Sequence, residues 1–334
     1  MSGLWLATAL LLGAAIAIYL SCELFVNGVE WLGRSLSVGS KATGSVLAAF
    51  GTALPESIVT LVAVAFGGAE TKALGVGAAL GGPLALATVA YATVGVSLIL
   101  SRQQLANTPA MRGAFRGLAR DQGWFLTIFA AKIALGLFVF AWKPWLGLFF
   151  LAAYGLYIRK EMAGPGEDEG ELEPLTFAPG HATPPLLRIL LQTVLALTII
   201  FVASHLFVGQ LATLAPLFGV EPQLVALLLS PIATELPETM NAIIWVRQGK
   251  HRLALANISG AMMIQATVPT AFGLFWTPWL LDRSLLLAAA VTASAIAVMI
   301  LAFRAGRVSR ALFASMGLFY LLFAALLIAM RAAG

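Results

Sequence analysis

Apolar residues run along this chain in long stretches, with polar residues gathered into short breaks between them. A helix needs about 20 mostly apolar residues to cross a bilayer. Ten stretches qualify, at 4–33, 43–67, 74–100, 123–141, 144–160, 185–215, 222–247, 253–277, 284–303 and 311–330. Trp142-Lys143-Pro144-Trp145 reads as an interfacial turn with aromatic anchors. The break at 161–184 differs in kind. It holds Glu161, Glu167, Asp168, Glu169, Glu171 and Glu173 among Gly and Pro, and reads as a flexible aqueous linker. A cation-sensing role for it is the alternative, although it lacks the spaced ligands of a calcium loop. The linker separates five spans in 1–160 from five in 185–334.

Composition turns this pattern into a membrane assignment. Of 334 residues, 60% are hydrophobic and 10% charged, against about 25% charged in a soluble domain. Mean hydropathy is +0.93. The run from Leu4 to Leu20 lacks a basic segment ahead of it and reads as a retained first span. Cys22 is the only cysteine, which excludes an intrachain disulfide or a cysteine-rich metal site. No His-Glu-x-x-His, phosphate loop or nucleophile elbow is present, so an enzyme has little support.

The net charge of +5 is no nucleic-acid signal, because its meaning lies in its distribution. Fifteen Lys and Arg fall in the breaks after the odd-numbered spans, among them Arg34, Lys41, Arg112, Arg116, Arg120, Arg159 and Lys250. Four fall on the other side: Lys72, Lys143, Arg283 and Arg331. Lys132 lies within span 4. The bias predicts cytoplasmic odd-numbered loops, a cytoplasmic linker and both termini outside, in a prokaryotic plasma membrane.

The chain also repeats itself. Leu24-Phe25-Val26 recurs as Leu206-Phe207-Val208, and Thr52, Leu54, Pro55 and Glu56 recur as Thr234, Leu236, Pro237 and Glu238. Both matches share an offset of 182 residues. Five spans per half is an odd number, so the second half inserts upside down. That is the inverted-repeat plan of secondary transporters, with a site near the midplane.

Pro55 and Pro237 each interrupt an apolar run. Proline lacks a backbone donor and clashes with the carbonyl four residues back, so each helix breaks there, freeing carbonyls near Gly51 and Ala233. A carboxylate follows each proline and a hydroxyl precedes it. Carbonyls, hydroxyls and carboxylates are the hard oxygen ligands that Ca²⁺, Mg²⁺ or Na⁺ require. A carboxylate at this depth is costly and points to function; the structural alternative is a protonated Glu bonded to backbone.

The segments Gly51-Thr52-Ala53-Leu54-Pro55-Glu56-Ser57 and Ala233-Thr234-Glu235-Leu236-Pro237-Glu238-Thr239 resemble the two alpha repeats of the sodium/calcium exchanger family, within the cation/calcium antiporter superfamily. The family pattern Gly-Thr-Ser-x-Pro-Glu is followed in the next helix by Gly-Asn-x-x-Gly-Ser-Asn. Here the second part reads Gly77-Ala78-Ala79-Leu80-Gly81-Gly82-Pro83 and Ala256-Asn257-Ile258-Ser259-Gly260-Ala261-Met262. The resemblance implies alternating-access antiport of Ca²⁺ against Na⁺, with no resident cofactor. It also implies ion binding by Glu56, Glu238, Thr52 and Thr234. The sequence departs from the pattern at several ligand positions. Ala53 and Glu235 replace serines before Leu-Pro-Glu, Gly82 and Ala261 replace later serines, and Leu86 and Gln265 replace an Asn or Asp.

Glu235 lies three residues before Glu238, so on a helix both share a face. Two such carboxylates favour a divalent cation, with proton exchange as a further possibility; the other reading turns Glu235 into a vestibule. Gln265 is either an amide ligand or an interhelical hydrogen-bonding group. Gly75, Gly77, Gly81, Gly82 and Gly260 are expected at close helix contacts. Glu23 and Glu30 share a face of span 1, with His205 at the repeat position of Glu23. A proton path, interfacial snorkelling or pairing with Lys132 are the options there.

The expectation is an all-α integral membrane protein: ten transmembrane helices in two inverted five-helix repeats, with Pro-broken helices at the central site. Its partners are the lipid bilayer and inorganic cations. The leading function is Ca²⁺/Na⁺ antiport, with the site at Glu56, Glu238, Thr52, Thr234, Glu235 and Gln265. The alternatives are proton-coupled Ca²⁺ or Mg²⁺ exchange and a non-transporting cation sensor.

Overall fold

A computed structural model describes residues 2–105, 108–163, 172–214 and 228–332. Every regular element among them is helical. The first half runs α1 (Ser2–Ser35), α2 (Ser40–Ala42), a π turn (Thr43–Ala48), α3 (Ala49–Phe66) and α4 (Ala69–Ala85). A second π turn (Leu86–Ala90), α5 (Tyr91–Leu100), α6 (Pro109–Leu135), a 3-10 turn (Lys143–Leu146) and α7 (Gly147–Met162) complete it. The second half runs α8 (Leu186–Leu214), α9 (Ser230–Thr234), α10 (Leu236–Arg247), α11 (His251–Trp276), α12 (Arg283–Ala305), α13 (Arg310–Ser315) and α14 (Gly317–Ala332).

Six of the helical stretches are long and apolar enough to cross a bilayer, and a bent pair, Ser40–Ala53 with Glu56–Phe66, makes a seventh. The remaining predicted positions hold α6, α7 and α9–α10, which are more polar or shorter. Positions 222–227 of the predicted seventh span lie outside the described residues. The fourth begins earlier than the apolar pattern suggests. Thr108 caps α6 by accepting from the Met111 amide, and Pro109 starts the helix. Arg112, Arg116 and Arg120 therefore sit on helix, not in a loop. The helix ends at Leu135, short of the expected 141.

Helices α1 and α8 hold 34 and 29 residues, about 50 and 44 Å of helix. Both are longer than a hydrocarbon core of about 30 Å, so their ends extend past it even when they tilt. They pack along each other, and at Gly28 a Cβ would stand 2.6 Å from the Thr193 hydroxyl. Their outer faces expose Trp5, Leu12, Ile16, Leu20, Leu187, Leu191 and Val202. Such a continuous apolar face is suited to acyl chains. Inside, one hydrophobic core takes residues from both halves, from Phe25 and Tyr91 to Trp245 and Phe303.

The linker is less free than its composition suggests. Residues 164–171, with Glu167, Asp168, Glu169 and Glu171, lie outside the described residues. Glu161 belongs to α7; it is buried and pairs with Lys41, which also pairs with Asp121 of α6. Beyond the gap, Leu175 and Ala178 are buried against Trp31 and Ile189. The Glu173 carbonyl accepts from the Trp31 indole at 2.9 Å. Apolar side chains and backbone acceptors dock this part of the linker on α1 and α8. In the Trp142–Trp145 turn both tryptophans are exposed, as expected of anchors. Lys143 turns inward and donates to the carbonyls of Phe138, Pro278 and Trp279, tying the α6–α7 and α11–α12 connections together. Burial pushes its pKa below the usual lysine range.

Candidate functional site

The first Leu-Pro-Glu segment bends its helix and the second interrupts one. In the first half the axis bends by 47° between Ala53 and Glu56. In the second half α9 stops at Thr234, Glu235 sits between helices at φ −87° and ψ 11°, and α10 begins at Leu236. The Glu235 amide donates back to the Pro231 carbonyl at 3.2 Å. It reaches the Ala233 carbonyl as well, so that oxygen is not left open as the sequence led one to expect.

Each repeat completes the other. Thr52 of the first break faces Glu238 of the second, and Thr234 of the second faces Glu56 of the first. Both hydroxyl protons are spent on backbone: Thr52 donates to Ala48 and Thr234 to Pro231, at 3.1 and 3.2 Å. Their oxygen lone pairs remain for another partner. Glu238 is buried and Glu56 half-buried, and one Glu238 oxygen has no hydrogen-bond partner.

The same cross-repeat logic sets the neighbouring helices. Gly81 of α4 lies against Pro231 of α9, where a Cβ would come within 2.6 Å of the proline ring. Its repeat counterpart, Gly260 of α11, lies against the first π turn, where a Cβ would meet the Ser45 carbonyl at 2.0 Å. Only glycine permits that backbone approach. Gly75 and Gly82 are also close contacts, whereas Gly77 faces open space. Across the breaks lies α1: the Cys22 thiol points to the Pro237 carbonyl, and Phe25 packs on Gly51.

Glu235 turns inward and is buried. Its Oε1 accepts from the Gln265 amide at 2.9 Å, and its Oε2 has no partner. A Cβ on Gly82 would stand 2.7 Å from Oε1. The pocket that a serine would fill at Gly82 is filled instead by the carboxylate that replaces a serine at Glu235. Glu56, Glu235 and Glu238 lie close enough to repel one another. Among the described residues, no group of three or more Asp, Glu, His or Cys side chains is gathered tightly enough to hold a metal ion.

Neither glutamate of α1 meets Lys132. The Glu30 carboxylate accepts from the Trp245 indole at 2.8 Å and pairs with Lys250. Glu23 is exposed beside Tyr19. His205 is exposed against the Phe201 ring. Lys132 is fully buried and donates to the carbonyls of Ala79 and Gln265 at 2.7 and 3.4 Å.

Two amides escaped the sequence reading as site residues. Asn257 donates to the Glu238 carbonyl at 3.3 Å and keeps a buried, unpartnered oxygen. Asn241 is fully buried three residues after Glu238, with both amide atoms unpartnered. The signal for Asn241 was present: an amide one turn past the carboxylate in an otherwise apolar run.

The family model for the sodium/calcium exchanger protein matches residues 6–159 and 188–329. The chain belongs to the sodium/calcium exchanger family. It is an integral membrane protein of a transporter family, with cations as the transported substrates. CaxA of Alkalimonas amylolytica, named as an antiporter, is 26% identical over 91% of this chain and 92% of its own length. The inner membrane protein YrbG of Escherichia coli is 28% identical over 83% of this chain and 82% of its own. Among solved structures, the sodium-calcium exchanger NCX_Mj soaked with Na⁺ and Sr²⁺ superposes with a TM-score of 0.72 at 20% identity, covering 98% of both chains. Its form without Na⁺ and Ca²⁺ gives 0.73 at 18% identity, over 96% of this chain and 98% of that one. The exchanger fold is thereby shared over nearly the whole molecule.

Proposed function

We infer that this chain exchanges a divalent cation, Ca²⁺, for Na⁺ by alternating access, and that the cation is held between Glu56 and Glu238. The observation that carries this reading is the crossed pairing of the two breaks. Thr52 with Glu238 and Thr234 with Glu56 form one oxygen-lined site from both repeats. Ca²⁺ takes six to eight oxygen ligands, so two carboxylates need neutral oxygens beside them. The back-bonded hydroxyls of Thr52 and Thr234 are such oxygens. Glu235 and Gln265 complete the set. The charge bias along the chain supports a cytoplasmic linker and external termini.

A second reading concerns the counter-ion. Glu235 stands where the resembling pattern has a serine, and Gly82 and Leu86 remove further neutral ligands. A buried carboxylate in place of a hydroxyl suits a proton as the coupling ion. Radiolabelled Ca²⁺ uptake into proteoliposomes under imposed Na⁺ or pH gradients separates the two. Na⁺-driven uptake is expected from the leading reading, and uptake driven by pH alone would establish the second. Exchange of no cation under either gradient would favour a sensor. Glu56→Gln and Glu238→Gln are each expected to lower Ca²⁺ affinity at least about tenfold, equivalent to about 1.4 kcal/mol. Uptake that survives both substitutions would remove the site.

A further inference from the structure

Lys132 is the one fully buried lysine among the described residues, and it has no carboxylate within ion-pairing distance there. A charge in the membrane interior without such a partner is costly and calls for a function. Its hydrogen-bond partners are informative. The helices α4 and α11 each contain one internal proline, Pro83 and Pro269. Each proline deprives the carbonyl four residues earlier of its helical donor. Those two carbonyls belong to Ala79 and Gln265, and they are the two that accept from the Lys132 ammonium. The ammonium also lies over the rings of Phe129 and Trp279, at 5.2 and 6.0 Å. Freed carbonyls and aromatic faces are what a desolvated monovalent cation seeks.

The place of this carbonyl pair in the fold gives it meaning. The Gln265 backbone takes the lysine, and the Gln265 side chain donates to Glu235. Lys132, Gln265 and Glu235 thus form a relay from α6 through α11 into the break before α10. We propose that the carbonyls freed by Pro83 and Pro269 form a monovalent-cation site, and that Lys132 is its tethered occupant. The lysine supplies a tethered positive charge linked to Glu235 through Gln265, in the place of one Na⁺ that would otherwise have to bind and leave in each cycle. The proposal rests on the reading of Glu56, Glu235 and Glu238 as the transport site.

The test is a count of bound ions in purified full-length protein, with thermal melting to confirm folding. Lys132→Ala removes the ammonium and leaves room for an ion between the two carbonyls. The variant is expected to bind one more Na⁺ per chain than the wild type. In proteoliposomes its Ca²⁺/Ca²⁺ self-exchange in Na⁺-free medium should fall below that of the wild type and recover with methylammonium or Na⁺. Unchanged Na⁺ stoichiometry in a folded variant, with no rescue by either cation, overturns the proposal. Should Lys132→Ala fail to fold, the same substitution is made in Pro83→Ala/Pro269→Ala protein, where helical amides again pair with both carbonyls. A lysine that merely satisfied those carbonyls becomes dispensable there, and wild-type exchange would defeat the proposal. A resident charge remains necessary, and exchange is lost without rescue. Absence of Ca²⁺ binding to the wild type would instead defeat the transport-site reading itself.

Discussion

At the scale of single residues, the site differs from the pattern it resembles by a pair of linked exchanges. A serine position became Gly82 on α4, and another became Glu235 at the second break. The two touch: Glu235 Oε1 occupies the space a Cβ at Gly82 would need. Gly82→Ser is therefore expected to push the carboxylate off Gln265 and to weaken Ca²⁺ binding. Glu235→Ser alone leaves Gln265 facing a void. The double substitution relieves both defects, and a double-mutant cycle on Ca²⁺ binding should show a coupling of about 1–3 kcal/mol. Additive losses would mean that the two positions do not share a pocket. The carboxylates and their threonines were legible in the sequence because a proline, a carboxylate and a hydroxyl recur together at one offset. Glu235 was legible only as a choice between site and vestibule, since Gly82 lies about 150 positions away in the chain and nothing local records their contact.

At the scale of elements, the prolines make the breaks and the glycines let them meet. Both breaks could be read from Pro55 and Pro237. The two π turns could not, because Thr43–Ala48 and Leu86–Ala90 carry no proline and read as ordinary apolar helix. Insertions of this kind cluster at functional sites. The first one brings Ser45 against Gly260, and so joins the approach to the first break to the second half. Gly260→Ala puts a methyl group into the Ser45 backbone, which cannot move as a side chain would. A loss of about 3 kcal/mol is expected, visible as a lower melting temperature in detergent. Gly77→Ala on α4 is the matched control and should melt like the wild type, because nothing lies within 4 Å of that position. Equal melting of both variants would show that the close approach of the π turn and α11 carries no weight.

At the scale of the molecule, the repeats are two in sequence and one in space. They share a core, and each supplies the threonine that faces the other's glutamate. Motifs recurring at one offset revealed the repeats. The apolar pattern misjudged the linker, where acidic residues hid a segment whose Leu175 and Ala178 dock on α1 and α8. It also set the start of α6 too late, since arginines at the membrane edge look like loop. Orientation depends on the charge bias and on the number of crossings between two points, and one experiment tests both. Gly68, between α3 and α4, and Gly180, in the linker, are exposed with no neighbour within 4 Å, so cysteine fits at either. Native Cys22 is fully buried and serves as an unreactive internal control. Three predicted spans separate the two positions, an odd number, so they should lie on opposite sides. A membrane-impermeant maleimide is expected to label Gly68→Cys in intact cells and Gly180→Cys only after permeabilisation. Labelling in the reverse order would invert the molecule while keeping the crossings. Labelling of both from one side would remove a span from the first half, and with it the upside-down insertion of the second.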